Sequence, residues 1–362
     1  MHFHSIGIIT TEQERALFGM LRLLLPPEIS LPTTLEALHK VTQDFLIRPR
    51  EIKSEYKPGL TQNDWVTVTT GPAGERSGCQ DSPKLLAYCG GAIEEYTKIF
   101  GFYDPLIIPD GVTLPHTRVL SAGAMYARVC LRMQCAQKLV TRGVVQNQQI
   151  YVAGSSRGLF DAERKELAEK EIVLPEAIEA EMVKQVAKEH GFVEANFLTA
   201  PAKINAVRAD TEDEGKALAA THPDTSVLVV SNAPFTRRQG LDIFKALLQQ
   251  TATVPVVIAI GDGCTPKTPL FTMIEELSYW IHSAKEIITW TNEHHPELST
   301  QVSLAIADIM NMGKPGYLFQ SDAYQKAFPL MPVVEQPGIP SPFSMWRFLG
   351  GQLAEPSTLT LQ

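Results

Sequence analysis

The stretch SVLVVSNAPFTRRQGLDIFKALL, Ser226–Leu248, decides how the rest of the chain is read. Ser226–Val230 is a short apolar run rich in β-branched residues, with no polar alternation. That is the pattern of a strand buried on both faces, as in a parallel sheet. Ser231–Phe235 is polar and broken by Pro234, hence a turn. Thr236 and Gln239 have the spacing of a capping box, N-cap and N3. Leu241, Phe244 and Leu248 then recur at helical intervals. The unit is strand, tight loop, helix, and its oddity is Arg237–Arg238. Two cations in a first helical turn oppose the macrodipole, at about 0.3–1 kcal/mol each. An anion bound at that end would offset the cost; two solvated arginines are the other reading.

The same rhythm extends outward. Gln149–Ala153 and Val254–Ile260 read as strands, and Leu106–Ile108 and Asn196–Leu198 as shorter ones. Val119–Val140, Leu174–His190 and Thr211–Ala220 read as helices, the last opened by a capping box of Thr211 and Glu214. Asp161–Glu171 is densely charged and reads as a solvated helix. Strands alternating with helices at crossover spacing predict an α/β protein with a mainly parallel sheet and helices on both faces.

The flanks differ. Residues 1–100 read as a mostly helical extension, with helices at Thr11–Leu25 (Thr11 and Glu14 as a capping box), Thr34–Phe45 and Lys84–Phe100. Trp65–Thr69 fits a strand, and Gly71–Asp81 a Gly-rich loop that lacks the phosphate-loop spacing. Residues 266–362 read as helices at Leu270–Glu293 and Ser299–Met312, then an extended Pro-rich segment at Pro329–Pro342. The expected organisation is a helical extension at 1–100, an α/β core at 101–265 and a helical, Pro-tailed extension at 266–362.

The net charge of −8 argues against a nucleic-acid binder. Five scattered cysteines without CxxC pairs suggest free thiols in a reducing compartment, and no zinc-ligand spacing occurs. Ala16–Leu25 is too short and too mixed for a signal peptide or membrane span. The expectation is a soluble, cytoplasmic protein.

Ligands of open α/β sheets bind beyond the carboxyl ends of the strands. Four expected strand ends carry suitable loops: Pro109–Gly111, Gly154–Gly158, Ser231–Phe235 and Gly261–Gly263. They would bring Asp110, Ser155, Ser156, Arg157, Asn232, Arg237, Arg238 and Asp262 to one crevice. The acidic run Asp210–Glu214 reads as first-turn residues that complement a helix dipole, with metal ligands or a general base as the chemical alternative. No GxSxG or HExxH motif is present, and His294–His295 reads as a solvated helix end.

The segment from Asp104 to about Leu248 resembles the bacterial SanA/YdcF/ElyC-type family, a domain of largely unknown function. Asp104 with Leu106–Ile108 looks like that family's first strand, and Arg132 like its first-helix arginine. Ala153–Gly154–Ser155 stands where Ser-Gly-Gly is expected, and Glu179–Ala180 looks like its Glu-Ala pair. Asp210–Glu214 occupies the Asn-x-x-Glu-Asn position, with Asp213 at the acidic residue and Glu214 at the final Asn. Asn232–Arg238 looks like the loop that carries its arginines. The resemblance implies a Rossmann-like three-layer fold with a small-molecule cleft, and no established reaction.

The functional expectation is a cleft for an anionic or nucleotide-like metabolite. S-adenosylmethionine, a nucleotide or a phosphorylated compound are the candidates, with hydrolysis or group transfer as the chemistry. Arg132, Arg237 and Arg238 would hold negative charge. Gly154, Ser155 and Ser156 would donate hydrogen bonds, with Glu179, Asn232 and Asp262 also at the ligand. Asp210 and Asp213 would orient a hydroxyl, a water or a metal. The alternative is a non-catalytic scaffold that binds a protein partner through its helical extensions, with the aromatic run Tyr279–Trp290 as a candidate surface.

Overall fold

The computed structural model describes residues 9–24, 30–34, 37, 40, 66–70, 76–81, 83–108, 112–114, 116–193, 195–200, 209–223, 226–251, 253–312 and 319–327. In chain order the described elements begin with α1 (Thr11–Leu24), β1 (Val66–Thr70), β2 (Arg76–Asp81) and α2 (Pro83–Ile99). The α/β core follows as β3 (Thr117–Ser121), α3 (Tyr126–Thr141), β4 (Ile150–Ser155), α4 (Asp161–Glu169), α5 (Glu179–Glu189), β5 (Asn196–Ala200), α6 (Thr211–Thr221), β6 (Ser226–Val230), α7 (Thr236–Leu248) and β7 (Val257–Ile260). Helices α8 (Leu270–His294), α9 (Ser299–Asn311) and α10 (Asp322–Ala327) complete it.

Five strands form one parallel sheet in the order β5-β4-β3-β6-β7, and β1 and β2 form a separate antiparallel pair. The chain steps outward from β3 through β4 to β5, then crosses back to lay β6 against the other side of β3. Strand β3 is thus central, with Leu120 between Tyr151 and Val229. The β3/β6 boundary is the topological switch point, the place where open α/β sheets bind ligands in a crevice beyond the carboxyl ends of the strands. Helices cover both faces to give a three-layer α/β sandwich: α3 packs with α5, and α6 with α7, which α8 then covers. Val227–Val230 and Val257–Ile260 are almost fully buried, which is why they read as continuous apolar runs.

The outer edge of β7 is closed from the C-terminal side. The Tyr324 hydroxyl donates to the Val257 carbonyl at 2.6 Å and accepts from the Val257 N–H at 2.9 Å. Asp308 holds the approach, accepting from the backbone N–H groups of Gln320 at 2.7 Å and Ser321 at 2.9 Å. A side chain here satisfies the backbone groups that an edge strand leaves open. The buried apolar cluster runs without interruption from Ile9 to Tyr324, so α1, α2 and α8–α10 share the core of the sheet.

Several expectations are corrected. The first sheet strand is Thr117–Ser121, not Leu106–Ile108, and the following helix starts at Tyr126 rather than Val119. The apolar run through Val119–Met125 suits a buried strand as well as a helix, and periodicity cannot separate the two. Leu106 forms only an antiparallel bridge with Gly261, through two 2.9 Å backbone bonds. The expected loop Gly71–Asp81 contains β2, and α5 begins at Glu179 rather than Leu174. Pro175 disfavours helical geometry just before it, and Ile178 bridges to Gly158. The N-terminal capping box is Thr10 with Gln13, one residue before the expected Thr11 and Glu14. Most of Thr34–Phe45 and all of Pro329–Pro342 lie outside the described residues.

Candidate functional site

The crevice at the switch point is organised by Arg132. It lies two turns into α3, on the inward face shared by Val129, Met133 and Ala136, and is 2% exposed. Its Nη1 donates to the carbonyls of Ala122 at 2.6 Å and Gly123 at 3.0 Å, just past β3. Its Nε donates to Asn232 Oδ1 at 3.0 Å, just past β6. Its Nη2 donates to Gln239 Oε1 at 3.1 Å and to Ser231 Oγ at 3.5 Å. All five acceptors are uncharged. Burial, aided by Arg128 and Arg238 nearby, pushes the guanidinium pKa down to about 10, so it is still charged at neutral pH.

Gln239 connects this guanidinium to the next helix. It accepts from Ser231 Oγ, and its Nε2 donates to Thr211 Oγ1 at 3.1 Å. The expected capping box with Thr236 is therefore absent: the N-cap position is Phe235, without a side-chain bond, and Gln239 is spent on the crevice. The buried Thr236 hydroxyl has no hydrogen-bond partner among the described residues.

Two carboxyl groups meet at Gly123. The Gly123 N–H donates to Glu214 Oε1 at 2.9 Å. A Cβ on Gly123 would lie 2.8 Å from that oxygen and 3.3 Å from Glu179 Cδ, so a larger residue there would push the Glu214 carboxyl aside. Glu214 Oε2 is buried and has no partner among the described residues. Burial first, then the charge of Glu179, raises the Glu214 pKa to about 8, against the pull of the Gly123 N–H and Arg132. Glu214 is thus largely protonated at neutral pH.

Glu214 is free for this role because α6 is capped in a different frame. Asp210 Oδ1 accepts from the Asp213 N–H at 3.1 Å, and Asp213 Oδ2 accepts from the Asp210 N–H at 3.0 Å. This reciprocal box replaces the expected one of Thr211 with Glu214 and absorbs the carboxylates expected to hold a hydroxyl, water or metal. Among the described residues no group of three or more His, Cys, Asp or Glu side chains has metal-binding geometry.

On the β4 side the expected donors are inside the protein. Ser155 is fully buried, and its N–H donates to Glu179 Oε2 at 3.0 Å, with its hydroxyl on the same oxygen. Arg157 joins Glu179 at 2.9 Å to Glu163, which it grips with two 2.8 Å bonds. Glu163, in the run expected to be solvated, is fully buried. Gly154 offers no backbone to a ligand, since a Cβ there would lie 2.8 Å from Ala180 Cα. It is the contact that seats α5 on β4. Ser156 alone of this loop's expected polar donors is exposed.

The arginine pair of α7 splits. Arg237 is buried away from the crevice, donating through Nε to the Met310 carbonyl at 2.9 Å and through Nη1 to the Gly101 carbonyl at 3.1 Å, over the Trp280 ring. Burial pushes its pKa down to about 10. It is a tie between α7, α9 and the end of α2, which corrects its expected role as an anion ligand. Arg238 is neutralised by Glu276 at 2.8 Å and Asp242 at 3.1 Å. Its guanidinium and that of the exposed Arg128 lie 5.8 Å and 4.6 Å from the Phe235 ring centre. Asp262 is exposed on the neighbouring loop, where its carbonyl accepts from the Ala233 N–H at 3.2 Å. Asp110 and the loop Pro109–Gly111 lie outside the described residues.

The structure therefore brings together Arg132, Asn232, Glu179 and Glu214 among the residues singled out in the sequence. It adds Gly123, Arg128, Thr211, Ser231 and Gln239, which sequence reasoning gave no site role. Arg128 precedes Arg132 by one helical turn, a spacing that was available as a signal. Trp280, in the aromatic run of α8, packs against Phe102 at 4.6 Å and Phe100 at 6.5 Å, so it belongs to the core.

No protein-family model matches the chain, and a search of curated proteins finds no significant similarity. Among the described residues no helix is long and apolar enough to cross a membrane.

Proposed function

We propose that the crevice between the carboxyl ends of β3 and β6 binds a small anionic or nucleotide-like metabolite. Hydrolysis or group transfer is the chemistry, and a cytoplasmic protein related to the SanA/YdcF/ElyC-type family is the setting. One observation carries this reading: Arg132 is a buried cation at the switch point that makes no hydrogen bond to a carboxylate among the described residues. Buried charges are ordinarily paired, because desolvation is costly without a counter-charge. Arg128 at the rim adds positive potential, and Glu214 in its protonated form subtracts none. Nucleotides, S-adenosylmethionine and phosphorylated sugars are the candidate ligands.

A thermal-shift panel of ATP, AMP, S-adenosylmethionine, glucose 6-phosphate and inorganic phosphate tests the proposal. A ligand of the folded state raises the midpoint by mass action. The expected result is stabilisation by at least one anion, reduced in Arg128→Ala and Asn232→Leu. A flat panel with wild-type protein overturns it. The burial of Trp280 removes one support for a protein-binding scaffold, the other reading of the sequence.

A further inference from the structure

The chemistry around Glu214 is incomplete in either protonation state. Ionised, Glu214 supplies a charge for Arg132, but its buried Oε2 then carries that charge without a hydrogen bond. Protonated, it has an O–H with no acceptor among the described residues, and Arg132, with no carboxylate hydrogen-bonded to it, keeps only the coulombic pull of Glu179. An oxyanion in the crevice resolves both deficits at once. It accepts the Glu214 proton in a hydrogen bond and supplies the negative charge.

We infer that the crevice takes its ligand as an oxyanion of the phosphate or sulfate type together with one proton, which resides on Glu214 and is shared with a ligand oxygen. This inference rests on the anion-binding reading above and makes Glu214 the residue that selects for charge. The groups facing it are consistent from every side. Glu179, hydrogen-bonded to Arg157 and Ser155, disfavours a negative charge on Glu214 next to it. Asp210, at the start of the same helix, acts in the same sense. Arg132 and the Gly123 N–H act in the opposite sense, and Arg128 and Arg238 add positive charge around Arg132. A carboxyl kept neutral among such groups serves as a hydrogen-bond donor.

Calorimetric titration with sulfate and with AMP between pH 7 and pH 9.5 tests the inference, since both probes hold a constant charge across most of that range. With wild-type protein the expected affinity is flat up to about pH 8 and falls about tenfold per further pH unit, with up to one proton taken up per anion bound. Proton uptake is read on wild-type protein alone, by repeating the titration in buffers of different ionisation enthalpy. Glu214→Gln, whose amide donates at every pH, is expected to bind with affinity independent of pH. Wild-type affinity that stays flat to pH 9.5 without proton uptake overturns the inference and leaves the anion site standing. The same is true if the Gln variant loses affinity in parallel with wild type. Absence of binding of either probe by either protein overturns the anion site, and this inference with it.

Discussion

Arg132 Nε donates to Asn232 Oδ1 at 3.0 Å, and that bond joins two residues one hundred positions apart in sequence. It ties the helix after β3 to the loop after β6, across the crevice where the sheet reverses its winding. With the Ala122, Gly123, Ser231 and Gln239 contacts, one guanidinium sets the relative position of both strand ends.

Replacing Arg132 by Met keeps much of the aliphatic volume and takes away a charged donor from five acceptors, of which Gln239 Oε1 keeps the Ser231 hydroxyl. Hydrogen bonds to charged groups are worth about 1.5–3 kcal/mol each, and breaking a buried polar network costs about 3–5 kcal/mol. The expected loss of unfolding free energy is on the order of 3 kcal/mol or more. Urea denaturation measures it, and an Asn232→Ala/Arg132→Met double variant should lose less than the sum of the two single losses.

Arg237→Met separates the arginine pair from ligand binding. Arg237 ties the Met310 and Gly101 carbonyls, so its loss is expected to destabilise the protein by about 2–4 kcal/mol. Anion affinity of the folded protein should stay within about twofold of wild type. A selective loss of affinity at unchanged denaturation midpoint would refute this assignment.

Gly154→Ala is a steric test. The new Cβ would stand 2.8 Å from Ala180 Cα, which is backbone and cannot swing aside. Helix α5 must lift from β4, at an expected cost of about 1–3 kcal/mol. Because Glu179 opens that helix, anion binding should weaken as well, and a thermal midpoint lower by several degrees is the first readout.

The raised pKa of Glu214 predicts a pH dependence of stability. The folded state binds this proton more tightly than the unfolded chain, whose glutamates titrate near pH 4.3. The contribution is fully present below that value and is lost as pH rises through about 8. Wild-type stability should therefore contain a component that declines between about pH 4.3 and 8, and Glu214→Gln should remove that component. Denaturant midpoints of both proteins across this range give the answer, and parallel curves would count against it.

The legible parts of the fold are those where burial leaves a one-dimensional trace. Ser226–Val230 and Val257–Ile260 have neighbours on both faces and read as apolar runs; α5 has one wet face and reads as amphipathic. Strand β3 did not separate from α3, because Val119–Met125 is largely apolar and fits either state, and a single glycine, Gly123, is tolerated inside a helical pattern. The helix caps came out one residue off at α1 and α6. In each case adjacent residues could fill the N-cap, and only the backbone angle chose between them.

The site was legible as residue types more than as roles. Arg132, Asn232, Glu179 and Glu214 stood out singly, whereas Arg237 and Arg238 drew attention through an unfavourable position in a first helical turn. Arg237 is explained by carbonyls at Gly101 and Met310, each far from it in sequence. No local pattern encodes such partners.

The sequence by itself determined the α/β class, the strand–loop–helix unit at Ser226–Leu248 and the concentration of polar residues after the strands. Those properties follow from hydrophobic periodicity and turn chemistry, which act over a few residues. Only the tertiary structure decided which strand is central, which arginine enters the crevice and which carboxyl keeps its proton. Those outcomes depend on desolvation and on partners brought from 91 to 107 positions away, as in Gly123 with Glu214 and Arg132 with Gln239.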